Sequence, residues 1–251
     1  AQITDVSLDF GATVASGDLV VFVNSDAVVE PGSLANVLAA FEAEATLGVA
    51  GAALTYPDGT PQWSGGREPD LAWFLAQSSG AATMLGRVPG WRRIKPLHGS
   101  EASEVGWVSG AAVAVRASVW SALGPFETSY RFYGQDLDFC LRARDRGWRV
   151  RLLPRFRVVH HHGATVSSRG DAIVGNADLG LLWSDLVLWA GRRHGLSFAR
   201  RARAAILLGS GARLFARRLA SPFLAASRRE EWRPATEALA RARTVLAKRD
   251  G

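Results

Sequence analysis

The chain has 251 residues, 48% hydrophobic and 21% charged, which is enough to bury a sizeable core and excludes wholesale disorder. Its single cysteine, Cys140, excludes an intramolecular disulfide framework, and no apolar run approaches the roughly 20 residues that cross a bilayer. Charge is uneven: residues 1–191 hold 15 basic and 19 acidic side chains (−4), and residues 192–251 hold 15 and 4 (+11), which together give the net +7.

The first two-thirds alternates strand and helix signals. Leu19–Val23 is a short apolar run rich in β-branched residues, as expected of a strand buried on both faces, and it ends in Asn24-Ser25-Asp26. Pro31 opens a helix whose apolar side is Leu34, Val37, Leu38 and Phe41. Val49 to Tyr56 reads as a strand closed by the turn Pro57-Asp58-Gly59. Residues 61–104 are rich in Gly, Pro and Trp and read as irregular, with one helix around Leu71–Gln77. Trp107 to Arg116 reads as a strand with Gly110 inside it, and Asp136 to Arg146 as a helix stopped by Gly147. Two short strands follow, Trp148–Leu153 and Phe156–His160. After about Asp171 the pattern turns helical: one face through Leu181, Leu182, Asp185, Leu186, Trp189 and Arg193, then helices over Phe198–Leu219 and Arg229–Lys248, limited by Pro222 and Pro234. The expected organisation is an α/β domain over 1–170 and a basic helical extension over 171–251.

Three places could hold chemistry. Asp26 sits at the carboxyl end of a strand, where open α/β sheets bind ligands, and its carboxylate could hold a divalent cation; a turn or helix cap before Pro31 is the alternative. Asp136 and Asp138, after Gly134-Gln135, could supply a general base or simply cap a helix. His160-His161-His162 gathers three of the five histidines at a strand end. Adjacent strand residues face opposite sides, so at most one or two of them can hold one metal, and a polar surface cluster is the alternative.

Together these pieces carry a resemblance. The run Asp9-x-Gly11-x-x-x-Ala15-x-Gly17-Asp18, leading through the strand to Asn24-Ser25-Asp26, resembles family-2 glycosyltransferases, notably bacterial rhamnosyltransferase-like members. The likeness continues in Trp107-Val108-Ser109-Gly110-Ala111 with Arg116, in Gly124-Pro125-Phe126-Glu127, in Tyr133-Gly134-Gln135-Asp136-Leu137-Asp138 with Arg142 and Gly147, and in Val158-Val159-His160-His161-His162-Gly163-Ala164-Thr165. It implies a GT-A fold with a mixed sheet and an inverting transfer of a hexosyl or rhamnosyl group from a nucleotide-sugar donor. The acceptor it implies is a glycan or lipid-linked glycan in cell-surface polysaccharide or glycolipid synthesis.

Residue by residue, the resemblance makes Asp136 the catalytic base. Asp26 and His160 (or one of its two neighbours) become ligands of Mn²⁺ or Mg²⁺, and Asn24, Asp9 and Gly11 fall on the donor side. Trp107, Ser109, Gly110, Gln135, Asp138 and Arg142 fall on the acceptor side, with Gln62-Trp63-Ser64-Gly65-Gly66-Arg67 shaping the same cleft.

The pattern departs from the family where Gln135-Asp136 stands for a usual acidic pair, which alters the surroundings of the base, and where Phe126-Glu127-Thr128 stands for Phe-Asp-Glu. The family's nucleoside-binding strands do not precede Ala1, so the expectation is an N-terminally truncated domain. The alternative is a catalytically incomplete fragment or a non-catalytic module whose basic tail docks on anionic membrane or another acidic partner. No dinucleotide fingerprint is present, and arginines spread along helices with few aromatics give no nucleic-acid motif, so no nucleic-acid partner is expected. The expected location is cytoplasmic, at the inner face of the plasma membrane, with peripheral contact through residues 192–251.

Overall fold

A computed structural model describes Ala12 and residues 15–82, 102–131, 133–161 and 179–248. It forms two compact units: the described residues of Ala1–Glu68, Pro96–Arg131 and Gln135–His162 make one, and those of Pro69–Lys95, Phe132–Gly134 and Gly163–Gly251 make the other.

The first unit is a mixed sheet between helices. Its strands are β1 (Leu19–Val23), β2 (Ala27–Val29), β3 (Leu47–Thr55), β5 (Ser103–Glu104), β7 (Ala112–Arg116) and β8 (Arg149–His160), in the order β1-β7-β3-β8-β2 with β5 also on β8. β3 and β8 run parallel, and the other pairings are antiparallel. A separate ribbon pairs β4 (Gly65–Gly66) with β6 (Trp107–Val108).

The alternation of side chains across a strand divides the core in two. Val49, Val113, Val115 and Val150 point to one face, where helices α3 (Ala117–Leu123) and α4 (Gln135–Asp145) bury Val119, Trp120, Phe139 and Cys140. Ala50, Ala112, Ala114 and Val158 point to the other, against Val37 and Phe41 of α1 (Ser33–Ala43). Small residues thus lie under α1 and branched ones under α3 and α4. The fold matches the expected mixed α/β class.

Several expectations change. β1 is not buried on both faces: it pairs only with β7 among the described residues, buries Val20 and Phe22, and leaves Val21 exposed. In α1 the buried set is Ser33, Val37 and Phe41, while Leu34 and Leu38 are half exposed, and the helix starts at Ser33 after Gly32 (φ +80) rather than at Pro31. The expected strand from Trp107 to Arg116 breaks at Ser109-Gly110-Ala111 into β6 and β7. Conversely, the two strands expected after Gly147 are one, β8, which passes Pro154 at a register shift opposite Ala52 and Ala53.

The second unit is helical, with α2 (Leu71–Ser79), α5 (Leu179–His194), α6 (Leu196–Ala220) and α7 (Ala226–Ala247). Asp70 caps α2 by accepting from the Trp73 amide at 2.7 Å. α2 packs on α6 at Gly209, where any Cβ would overlap Ser78 Oγ. Pro222 lies between α6 and α7 as expected, but Pro234 stands inside α7 and limits neither helix. It is exposed, so the carbonyl its ring deprives of a donor can be met by water. Among the described residues no helix is long and apolar enough to cross a membrane.

Gly51 on β3 faces Val108, and a methyl there would overlap the valine side chain. Gly51→Ala is expected to lower stability by about 1–3 kcal/mol in urea unfolding, with partial recovery on adding Val108→Ala.

Candidate functional site

The carboxyl ends of β1, β3 and β8 and the amino end of β7 lie at the same edge of the sheet, because β1, β3 and β8 run in one direction and β7 against them. Every turn that leaves this edge carries a residue singled out above.

β1 is followed by Asn24, whose amide donates to the Ala111 carbonyl at 2.9 Å and whose own carbonyl accepts from the Ala27 amide at 3.0 Å. The tight turn lifts Asp26 toward β8, where the His161 amide donates to the Asp26 carbonyl at 2.8 Å. Asp26 Oδ1 then lies 3.3 Å from His160 Nε2, and both side chains are largely buried.

The proton on His160 is set by Gln62. Gln62 Nε2 donates to the carbonyls of Thr55, at 3.1 Å, and of His160, at 2.5 Å, so its Oε1 can only accept. His160 Nδ1, 3.0 Å from that oxygen, therefore carries the hydrogen. Nε2 is the nitrogen turned to Asp26. In a neutral ring its lone pair would face a carboxylate oxygen and be repelled; either a proton on Nε2 or a cation ligated by both groups removes that repulsion. A histidine whose far nitrogen donates to a fixed acceptor is the usual arrangement of a metal ligand.

The pair fits a divalent cation as one oxygen and one nitrogen donor, and among the described residues no group of three or more His, Cys, Asp or Glu could hold a metal. The remaining coordination positions would fall to a diphosphate and water, as is common for Mg²⁺ and Mn²⁺.

Asp136 lies in the first turn of α4, beside the break between β6 and β7. The Gly110 amide donates to Oδ2 and the Leu137 amide to Oδ1, both at 2.8 Å. A Cβ on residue 110 would meet the Asp136 Cβ at 3.4 Å, an ordinary van der Waals contact, so the two segments pack directly against each other. Burial pushes the carboxyl of Asp136 above its ordinary value, and the two amides only partly offset this.

The β6–β7 break and the β4–β6 ribbon bring Trp107 and Ser109 against residues 63–67. Trp107 meets Trp63 edge-on at 5.3 Å, its Nε1 donates to the Arg67 carbonyl at 3.0 Å, and the Ser109 amide donates to the Ser64 carbonyl at 2.8 Å. Gln135 Nε2 donates to the Tyr130 carbonyl at 3.4 Å.

Asp138 and Arg142 are engaged elsewhere. Asp138 accepts from Arg142 Nε at 2.8 Å and from Tyr130 Oη at 3.3 Å, and Arg142 also donates to the carbonyls of Leu123 and Pro125. These bonds hold the segment between α3 and α4. Arg116 similarly ties the carbonyls of Phe41, Glu44 and Leu47. Burial pushes the Cys140 thiol up to about 12, so it stays protonated at neutral pH and offers no nucleophile.

Asp9, Gly11 and His162 lie outside the described residues; His161 is exposed. Gln62 was expected to shape the acceptor cleft, and the structure seats it against the histidine instead. No local signal marks this, because the contact joins residues 98 apart.

Gln62→Met keeps the side-chain length but frees the His160 tautomer. It is expected to weaken Mn²⁺ binding about 10- to 100-fold in calorimetry. Unchanged affinity would show that Gln62 does not orient the ring.

Comparison with known proteins gives the family and the fold. Residues 7–170 match the family model described as glycosyltransferase like family 2. The chain is 30% identical over 167 residues to an N-acetylglucosaminyl-diphospho-decaprenol L-rhamnosyltransferase of Mycobacterium tuberculosis, covering 64% of this chain and 52% of that protein. It is 29% identical over 185 residues to the O-antigen biosynthesis protein RfbC of Myxococcus xanthus, covering 73% of this chain and 14% of that protein. This chain therefore spans about half of one relative and a small part of the other. In fold it is similar to the mannosyltransferase PcManGT of Pyrobaculum calidifontis, solved in complex with GDP-Man and Mn²⁺, with a TM-score of 0.54, 14% identity, and coverage of 100% of this chain and 68% of that one. With its GT-A-type sheet and a family match over residues 7–170, the chain belongs to glycosyltransferase family 2.

Proposed function

We propose that this chain carries out an inverting transfer of a sugar from a nucleotide-diphosphate donor to an acceptor hydroxyl, with Asp136 as general base. The observation that carries the reading is the pairing at the β6–β7 break. There the Gly110 amide aims the Asp136 carboxylate, and the adjacent Ala111 carbonyl holds Asn24, two residues before Asp26. A base and a cation-binding carboxylate are thereby fixed to one stretch of backbone, as a displacement with the acceptor on one side and the diphosphate on the other requires.

In the step itself the acceptor proton passes to Asp136 and the freed oxygen bonds to the anomeric carbon. The bond from that carbon to the diphosphate breaks with its electron pair on the leaving oxygen. Mn²⁺ or Mg²⁺ held by Asp26 and His160 would offset the charge gathered on the diphosphate. Burial suits Asp136 to its part, because a carboxyl raised toward neutral pH is a stronger base than an ordinary one.

The names of the relatives favour a rhamnosyl or other hexosyl donor and a lipid-linked glycan acceptor in cell-surface polysaccharide synthesis. A cytoplasmic site at the inner face of the plasma membrane follows from such an acceptor.

Asp136→Asn is expected to lower transfer by about 10²- to 10⁴-fold while the chain stays folded. Since burial raises the folded-state pKa, the charged form detracts from stability as pH rises through that raised value. The neutral asparagine therefore changes neutral-pH stability by no more than about 1–2 kcal/mol, through one weakened amide contact. In the wild type, transfer is expected to fall as pH drops through the raised pKa of Asp136, above the usual carboxylate range. Transfer retained in Asp136→Asn would remove Asp136 as the base.

A further inference from the structure

α6 shows two opposite faces. Ala199, Ala202, Ile206 and Gly209 are buried within the helical unit. Leu208, Phe215 and Leu219, spaced seven and then four residues apart, fall on the other side and are 68%, 63% and 59% exposed. The turn that follows presents Phe223 at 90% exposure. A row of large apolar side chains turned outward is the reverse of what water selects, so the stripe is built for a non-aqueous partner.

Charge identifies that partner. α6 carries six arginines and no acidic residue. Arg201 lies seven residues before Leu208, in line with the stripe, and the exposed Arg200 and Arg218 flank one side of it. A second copy of this chain would set arginine against arginine, and nucleic acid would leave the leucines and phenylalanines without burial. A bilayer surface with anionic headgroups takes both: acyl-chain boundary for the stripe and phosphate for the guanidinium groups.

We propose that Leu208, Phe215, Leu219 and Phe223 form a membrane-docking face on which α6 lies in the plane of an anionic leaflet. In purpose the proposal rests on the transfer reading, since it would bring the chain to a lipid-linked acceptor. Its evidence comes from the helical unit alone.

The test is flotation of the full chain with phosphatidylglycerol/phosphatidylcholine vesicles and with pure phosphatidylcholine vesicles, alongside size-exclusion chromatography. The wild type is expected to float with the anionic vesicles and not with the neutral ones. The triple variant Leu208→Gln, Phe215→Gln, Leu219→Gln is expected to bind about 100-fold more weakly with an unchanged circular dichroism spectrum. All three side chains are exposed, so the fold does not depend on them. Arg200→Gln, Arg201→Gln, Arg218→Gln is expected to weaken binding to a similar degree and to abolish most of its salt dependence.

No flotation of the wild type, equal flotation of the apolar variant, or a wild-type dimer that the apolar variant dissolves would each overturn the proposal. The outcome is separable from the transfer reading. The apolar variant should still act on a water-soluble acceptor, and Asp136→Asn should still float.

Discussion

β3 and β8 are distant in the chain and lie side by side in parallel, and where their carboxyl ends meet, a single buried amide holds both. Gln62 donates to the last residue of each strand, Thr55 and His160, and accepts from the imidazole of the same histidine. That amide gives each carbonyl a hydrogen-bond donor, a contact worth about 0.5–1.5 kcal/mol. With it, the strand ends are pinned at the spacing that turns His160 Nε2 to Asp26. One side chain thus joins the folding of the sheet edge to the tautomer of the residue that would bind a cation.

The second half of the site depends on a gap rather than a bond. β6 and β7 are interrupted at Ser109-Gly110-Ala111, and the freed Gly110 amide turns to Asp136 instead of to a neighbouring strand. Two opposing influences act on that carboxylate. The helix N-terminus and two amides favour its charged form, and burial favours its neutral form; burial wins. The raised value makes the carboxylate a stronger base than an ordinary one. The usual acidic neighbour is replaced by Gln135, so burial, rather than like-charge repulsion, raises this pKa.

Much of this was legible in the chain itself. The apolar runs of β1 and β3 and the stop at Gly147 (φ +84) declare themselves locally, and the ordered motifs from Asp9 to Thr165 carried the family. What was hidden is short or distant. β2, β4 and β5 span two or three residues, too few for any periodicity. The break at Gly110 looks like a continuous strand because every residue from Ala111 to Val115 is apolar and buried on both faces of the sheet. β8 reads as two strands because Pro154 interrupts a pattern that a bulge then repairs. The candidate residues Asp26, Asp136 and His160 were named from the sequence, yet Gln62 was not linked to the histidine, since a buried glutamine gains meaning only from what folds against it.

The central claim is that Asp26 and His160 form a cation site that serves a nucleoside diphosphate, and calorimetric titration of the chain with UDP and TDP, with and without Mn²⁺, addresses it most directly. The account predicts binding that requires Mn²⁺ and is lost in Asp26→Asn. Binding that is as tight without the metal, or as tight in Asp26→Asn, would contradict it.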